Sequence, residues 1–340
     1  MVDMNIKKCL MTILMGALGL IIILLIVWDI GIQNTISIFF SSNIYLYLLA
    51  VFIYFLVVFI LVLRWRYILS INNYPRVSLK NLFLLVMMGQ LINNITPSMK
   101  GGSEPFRAYY LSKLENIPKH VSFSSVIVER LLDTIVFLVL SLFVIIYLLI
   151  KGMVYVRELI VIWILVGIIT LLGLYVIMHE SLPYRIVLKL TEIISRFSSR
   201  CISKNKIHDA IEKLQKNIIF LNDNKRKMTV PLLLSFGWWT LDLLRIYVLF
   251  LAINYNISFI ALSSTYLISL LVGILPTLPG SLGVSDAVMI AMYSSFGIPN
   301  SVSAAGTILD RTISYGLATI LGAISYYLIK RKLKKIKNNN

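Results

Sequence analysis

Residues Asn93–Asp133 read NNITPSMKGGSEPFRAYYLSKLENIPKHVSFSSVIVERLLD. The sequence around them is of membrane grade. The 340-residue chain is 59% hydrophobic and 14% charged, with a mean hydropathy of +0.87, whereas soluble domains run near half apolar and about a quarter charged. Within the stretch, Pro97 and the Gly101-Gly102 pair break helices. Glu104 and Arg107 stand three residues apart, and the cluster Glu129-Arg130-x-x-Asp133 follows. Broken, charged sequence is expensive inside a bilayer, so it marks a pathway or a binding site.

Working outward, apolar runs of spanning length, about 20 residues, cover Leu10–Trp28, Ile44–Leu63, Val121–Ile150, Ile160–Met178, Leu232–Ile253 and Val302–Ile329. Arg64-Trp65-Arg66 closes the second run as an interfacial anchor. Leu79–Ile95, ending in Asn93-Asn94, and Glu104–Leu114 are two short helices on either side of the Pro97/Gly101-Gly102 break. Arg76, Lys80, Lys113 and Lys119 flank this pair at both ends, which predicts a re-entrant hairpin from the cytoplasm; two complete spans are the alternative. Phe259–Leu275 and Val284–Phe296 flank a second break containing Pro279, Gly280 and Gly283. The expected fold is an all-α polytopic membrane protein, with six full spans plus two re-entrant helical hairpins, or eight spans if the hairpins cross.

Charge sets the orientation. Of 32 Lys and Arg residues, 27 fall in segments assigned to the cytoplasm, Arg130, Arg245 and Arg311 lie inside spans, and only Lys151 and Arg157 face outward. The positive-inside rule then puts both termini in the cytoplasm of a multi-pass cell (plasma) membrane protein. The net charge of +17 is distributed as a surface meeting anionic lipid and not as a nucleic-acid site. Cys9 and Cys201 are isolated and form neither a disulfide framework nor a metal pattern. Lys7-Lys8 and the first apolar run read as a retained span, since no small-residue cleavage site follows. Residues 179–230 form a basic cytoplasmic insert. Its stripe Ile186, Leu190, Ile193, Ile194 and Phe197 suits a helix lying on an anionic membrane surface, and equally one packed on the cytoplasmic ends of the bundle. A second amphipathic segment spans Ile207–Leu221, and residues 330–340 form a basic cytoplasmic tail.

A shift of 181 positions superposes the polar landmarks: Pro118 on Pro299, Gly102 on Gly283, Glu129-Arg130 on Asp310-Arg311, and Arg64 on Arg245. The single membrane domain (1–340) therefore reads as two repeats, about 10–150 and about 158–329. One is entered from the cytoplasm and the other from outside, so the repeats are inverted, as in secondary transporters. Arg130 lies about ten residues, or about 15 Å, into its span. A guanidinium at that depth needs a partner, and Glu104, Glu129, Asp133 and Asp310 are candidates, with Asp133 at i+3 favoured over Glu129 for Arg130. Two interpretations stay open: internal salt bridges tying spans together, or a cationic site for a phosphate. In the second, Gly101-Gly102 and Gly280/Gly283 open helices whose free N–H groups favour an anion, and Arg107 adds a fork for phosphate oxygens.

The pattern Asn93, Pro97, Gly101, Glu104, Arg107 resembles the first signature of the lysylphosphatidylglycerol synthase transmembrane-region (flippase-like) family. Glu129-Arg130-x-x-Asp133 resembles the second. Leu278-Pro-Gly-Ser-Leu-Gly-Val-Ser-Asp286, with Gly297 and Asp310-Arg311, resembles the third, although Asp286 stands where Glu is frequent. The resemblance implies a lipid-flipping membrane domain. Bifunctional members append a soluble synthase domain; this chain ends at Asn340 after its last span, so a stand-alone flippase domain is expected. The expected substrate is an anionic or aminoacylated phospholipid, or a polyprenol-linked lipid. The expected partners are membrane lipids and, in an oligomer, further copies of the chain.

Two other classes compete. A membrane-embedded lipid-modifying enzyme needs positioned groups, but His120, His179 and His208 are scattered, so no catalytic residue, metal or cofactor is expected. An ion-coupled small-solute transporter would use Asp242, Asp286 and Asp310. No G-x-x-x-x-G-K-[ST] loop is present, so the movement is expected to be ATP-independent.

Overall fold

The computed structural model describes residues 30–96, 102–152, 156–179, 181–195, 204–274 and 278–339, with positions 18, 21, 22, 25 and 28 before them. Most of the expected first span, together with Pro97, Gly101, Phe197 and both cysteines, lies outside the described residues. Most of those residues are helical, with no strand among them. The helices are α1 (Ile30–Phe40), α2 (Ile44–Ile71), α3 (Leu79–Ile95), α4 (Glu104–Leu114), α5 (Lys119–Ile150), α6 (Val156–Met178), α7 (Leu182–Ser195), α8 (Lys204–Asp223), α9 (Lys225–Ala252) and α10 (Phe259–Ile274). A 3-10 turn (Pro279–Ser281) leads into α11 (Val284–Ser295), α12 (Asn300–Arg311), a π-helical turn (Thr312–Leu317) and α13 (Ala318–Asn339). Five helical stretches among the described residues are long and apolar enough to cross a membrane: α2, α5, α6 from Leu159, α9, and the run Asn300–Ile336. The helices beside the breaks are shorter, at 17 and 11 residues for α3 and α4 and 16 and 12 for α10 and α11; a span needs about 20.

Several boundaries recur at an offset of 181. Helices α2 and α9 are both 28 residues long, beginning at Ile44 and Lys225. Each is followed by an asparagine of left-handed backbone, Asn73 (φ 65°) and Asn254 (φ 57°), a conformation asparagine tolerates better than most residues. Pro118 (φ −54°, ψ 138°) precedes α5 and Pro299 (φ −54°, ψ 137°) precedes α12. Proline suits these sites because its fixed φ starts a helix and its missing N–H is not needed there.

The chain divides into two compact units. The first comprises 1–63, 79–107 and 236–340, and the second 64–78 and 108–235. In the first, α3 and α13 touch at their backbones. A Cβ on Gly322 would stand 2.6 Å from the Met87 carbonyl oxygen and 3.1 Å from the Leu91 amide nitrogen. Small residues permit this approach between membrane helices, where packing replaces the hydrophobic drive. Lys332 Nζ donates to Asn81 Oδ1 at 2.5 Å on the same pair. The last apolar run ends at Ile329, and α13 continues past it through the basic tail to Asn339. Lysine and arginine are good helix formers, so charge ends the span without ending the helix.

The second unit is built on α5. Ile68, Ile71, Val128, Leu132 and Leu221 form a buried cluster, which brings α8 onto α5. Asn217 Nδ2 donates to Ser124 Oγ across the same contact. Gln215 Nε2 donates to the carbonyls of Ile177 and His179, each at 2.9 Å, and so satisfies acceptors left over at the end of α6. The second amphipathic segment of the insert is therefore a packing helix within its unit.

Candidate functional site: buried arginine–carboxylate networks

The second unit carries the first network. Arg64 is fully buried and donates to Glu129 Oε1 (3.3 Å), to both Asp133 oxygens and to Ser235 Oγ (2.8 Å). Trp65 is also fully buried, and its Nε1 donates to Ser125 Oγ at 3.0 Å. This corrects the expectation of an interfacial anchor at Arg64-Trp65: α2 continues to Ile71, and the pair faces protein. Arg130 reaches Asp133 at 3.6 Å through the i+3 spacing, and its side chain keeps 35% exposure against none for Arg64. Glu129 thus belongs to Arg64, and Asp133 serves both guanidiniums.

The first unit carries the second network. Arg245 Nε donates to Asp242 Oδ1 (3.0 Å) and Nη1 to Asp310 Oδ1 (2.5 Å). Asp242 also accepts the Tyr266 hydroxyl, and Ser314 donates to Asp310 Oδ2 at 3.1 Å. Asp310 is paired with Arg245 rather than with its sequence neighbour Arg311, for the same reason that Glu129 leaves Arg130: adjacent helical residues point about 100° apart. Arg311 instead gives Nε to Asp286 (2.5 Å) and Nη2 to Ser285 Oγ (2.6 Å). The π-helical turn begins immediately after Arg311; such turns are frequent at functional sites.

Asp286 does two jobs. Its second carboxylate oxygen accepts the Gly283 N–H at 2.8 Å, capping α11 as an N3 acid does in a capping box. The N-terminus of α11 was expected to offer free N–H groups to an anion; the Gly283 amide is instead taken by the chain's own carboxylate. Any ligand anion there competes with Asp286.

The two broken hairpins meet in the first unit. The Gly280 N–H donates to the Thr96 carbonyl at 3.1 Å. Gly280 has φ +59°, and a Cβ there would lie 2.8 Å from the Tyr315 ring and 3.1 Å from the Asn94 carbonyl oxygen, so the turn and the close approach both require glycine. Pro279 beside it is buried. Asn94 Nδ2 donates to Thr319 Oγ1 (2.9 Å), tying the end of α3 to α13. Asn93, one residue earlier, has a buried Oδ1 with no hydrogen-bond partner among the described residues. Gly102 packs on Thr96, where a Cβ would come within 2.6 Å. Arg107 is buried and runs its stem past Gly89, whose absent Cβ would fall 2.8 Å from Arg107 Cδ. Glu104 sits in the first turn of α4, where the helix dipole favours an acid, and its carboxylate oxygens are shielded from solvent.

The residues picked out by sequence thus fall into three groups: Glu129, Arg130 and Asp133 in the second unit; Asp286, Asp310 and Arg311 in the first; and Glu104 with Arg107 on α4. The central partners Arg64, Arg245, Ser235, Ser285 and Tyr266 were not among them. One signal for two of these was present. Arg64–Glu129 and Arg245–Asp310 are both separated by 65 positions.

A chain whose described residues hold no strand, five spanning-grade helical stretches and buried arginine–carboxylate networks is an integral, multi-pass membrane protein. More narrowly, the chain belongs to the family described as the lysylphosphatidylglycerol synthase TM region, whose model matches residues 12–322. It is similar to a UPF0104 membrane protein of Methanocaldococcus jannaschii, 43% identical over 98% of this chain and 99% of that protein. A UPF0104 membrane protein of Methanothermobacter thermautotrophicus is 31% identical over 82% of this chain and 85% of its own length. One from Pyrococcus horikoshii is 29% identical over 96% and 98%. No solved structure matches the chain.

Proposed function

We propose that the protein moves a lipid with an anionic or aminoacylated phosphate headgroup, either a phospholipid or a polyprenol-linked lipid, across the cell membrane without ATP. The observation that carries this is the junction of two broken helical hairpins in the first unit, with the Arg311–Asp286 pair built onto the second. Non-helical backbone is tolerated at membrane depth only where it is buried in protein or lines a polar cavity. Such breaks form the substrate sites of transporters made of inverted repeats. The family described for lysylphosphatidylglycerol synthase supports a lipid-related task.

The repeat organisation is part of the proposal: two inverted copies, with re-entrant hairpins α3–α4 and α10–α11 and both termini cytoplasmic. The equal lengths of α2 and α9, the matching prolines and asparagines, and the two Arg–acid pairs 65 apart support it. In this account Arg64 and Arg245, with side chains 0% and 3% exposed, lock helices together. Arg130 and Arg311, at 35% and 11%, exchange their carboxylate partners for headgroup phosphate. A guanidinium in a bilayer costs at least about 2.5–3.5 kcal/mol, so partner exchange is favoured over release. Glu104, Arg107 and Asn93 line the approach on the first hairpin.

The test is reconstitution into liposomes with headgroup-labelled anionic, aminoacylated and zwitterionic lipids. The expected result is faster movement of at least one class than in protein-free vesicles, lost in Arg311→Ala. Movement equal to the protein-free rate for every class rejects the proposal.

A further inference from the structure

The second unit holds an apolar cavity of about 290 Å³ between α5, α6, α8 and α9. Leu132 and Ile135 of α5, Ile177 and Met178 of α6, Ile218 of α8 and Leu232 of α9 are among the side chains around it. Every lining residue is aliphatic or methionine except Lys225 and Thr229. An ordered water needs two to four polar partners, which such walls do not supply, and an apolar cavity of about 150 Å³ is already large enough to take up benzene. The occupant that suits these walls is hydrocarbon.

The lining has a polar end and an apolar end. Lys225, Met228, Thr229 and Leu232 follow the i, i+3, i+4, i+7 pattern, so they share one face of α9. Lys225 begins that helix, and Leu232 lies about 10 Å further along it at 1.5 Å per residue. Three of the four helices around the cavity, α5, α6 and α9, are long and apolar enough to cross a membrane. Ile135, 42% exposed, and Met178, 52% exposed, belong to the lining and stand on two of them. Exposed apolar side chains on spanning helices meet the hydrocarbon of the bilayer, which therefore borders the cavity.

Charge then selects among lipids. Lys225 is the one charged residue of the lining, and it is exposed. Arg226 and Lys227 follow it, also exposed, so the first turn of α9 is basic and holds no acid. A helix start carries the positive end of its dipole and favours anions, so three cations there are set against the dipole and an external anion is favoured on both counts. The neighbouring acid in sequence, Asp223, is exposed and does not line the cavity.

The geometry points to a lipid-binding site within the second unit: one hydrocarbon chain of an anionic membrane lipid lies in this cavity, with its phosphate at Lys225. A lipid so placed is held and not moved. It fills the space between α8 and the spanning helices α5, α6 and α9, beside the buried cluster of Val128, Leu132 and Leu221. The broken hairpins belong to the first unit, and the site does not rest on the lipid-moving proposal.

The test is native mass spectrometry and thermal unfolding of the purified full-length protein in detergent, titrated with phosphatidylglycerol and, separately, with phosphatidylcholine. The expected result is one phosphatidylglycerol retained per chain, with a melting temperature that rises saturably as it binds. Phosphatidylcholine shares the chains but has no net charge, and should bind about fivefold more weakly, the worth of one lysine near anionic lipid. Lys225→Gln should abolish that preference, whereas Lys227→Gln, at an exposed lysine outside the lining, should keep it. Ile135→Trp fills the cavity and should lose both lipids. Thr229→Trp, at an exposed position of the lining, is the second filling variant should the first not fold. Wild type that retains no lipid, or that retains a second copy of the chain in its place, overturns the site. So does retention unchanged in a folded filling variant, or a phosphatidylglycerol preference that persists in Lys225→Gln. The readout is binding and not movement, so none of these results bears on the liposome assay.

Discussion

Removing the Arg64 guanidinium should be among the most damaging single changes in the second unit, and for a reason that can be undone. Arg64→Met keeps much of the stem volume but deletes hydrogen bonds to Glu129, Asp133 and Ser235. Arg130 remains within 3.6 Å of Asp133 and compensates one carboxylate. Glu129, whose side chain is 1% exposed, loses its ion pair with Arg64 while staying buried. Breaking a buried ion pair in this one-sided way costs about 3–5 kcal/mol. Replacing the whole set with neutral isosteres, Arg64→Met/Glu129→Gln/Asp133→Asn, removes the acid charge together with its guanidinium and should recover much of that loss, because the penalty lies in buried acid charge that has lost Arg64. The assay is reversible unfolding in mixed micelles, with the single and triple variants read in one series. A triple variant as unstable as Arg64→Met refutes the reasoning, as does Arg64→Met with wild-type stability.

Other consequences are more local. Gly322→Ala forces a Cβ to 2.6 Å from the Met87 carbonyl oxygen and should destabilise by about 1–3 kcal/mol, as overpacking does; thermal unfolding checks it. Gly280→Ala meets both left-handed backbone and the Tyr315 ring, so it should lower the melting temperature and separate the Gly280–Thr96 hydrogen bond, visible as faster amide exchange at Gly280. Asp286→Asn should retain the α11 cap while weakening the hold on Arg311, whereas Asp286→Ala loses both; the alanine variant should be the less stable by about 1 kcal/mol, the usual worth of a cap. Tyr266→Phe deletes a donor to a carboxylate and should cost about 1.5–3 kcal/mol, the range for hydrogen bonds to charged groups, in the same unfolding assay.

Much of this arrangement is written in local sequence. Pro118, Pro299 and the glycine breaks fix where helices start, which is why α3 and α4 fall on Leu79–Ile95 and Glu104–Leu114 as read from the chain. The acid–arginine clusters were visible because charge is rare in apolar sequence. Partner choice was not visible. It depends on which face of a uniformly apolar helix turns inward, and α2 gives no amphipathic cue to show that Arg64 and Trp65 face protein while Phe52 and Phe59 stay exposed. Arg64 at the end of an apolar run looks like an anchor until Glu129 and Asp133 are seen beside it. The role of Tyr266 was hidden for the same reason, because hydropathy treats a tyrosine as part of a span whether its hydroxyl meets lipid, protein or a carboxylate. The second amphipathic segment of the insert carried no sign of its partner, and the burial of Leu221 with Val128 and Leu132 shows that its apolar face packs on α5.

The claim at the centre of this account is that Arg311 and Arg130 handle a lipid headgroup while Arg64 and Arg245 hold the helices. The most direct measurement is the rate at which headgroup-labelled lipids cross liposomes containing wild type, Arg311→Ala or Arg130→Ala, each first shown by unfolding to be folded. The account predicts movement of a phosphate-headgroup lipid by wild type and its loss in both variants at near-native stability. Folded variants that move the lipid at the wild-type rate contradict it.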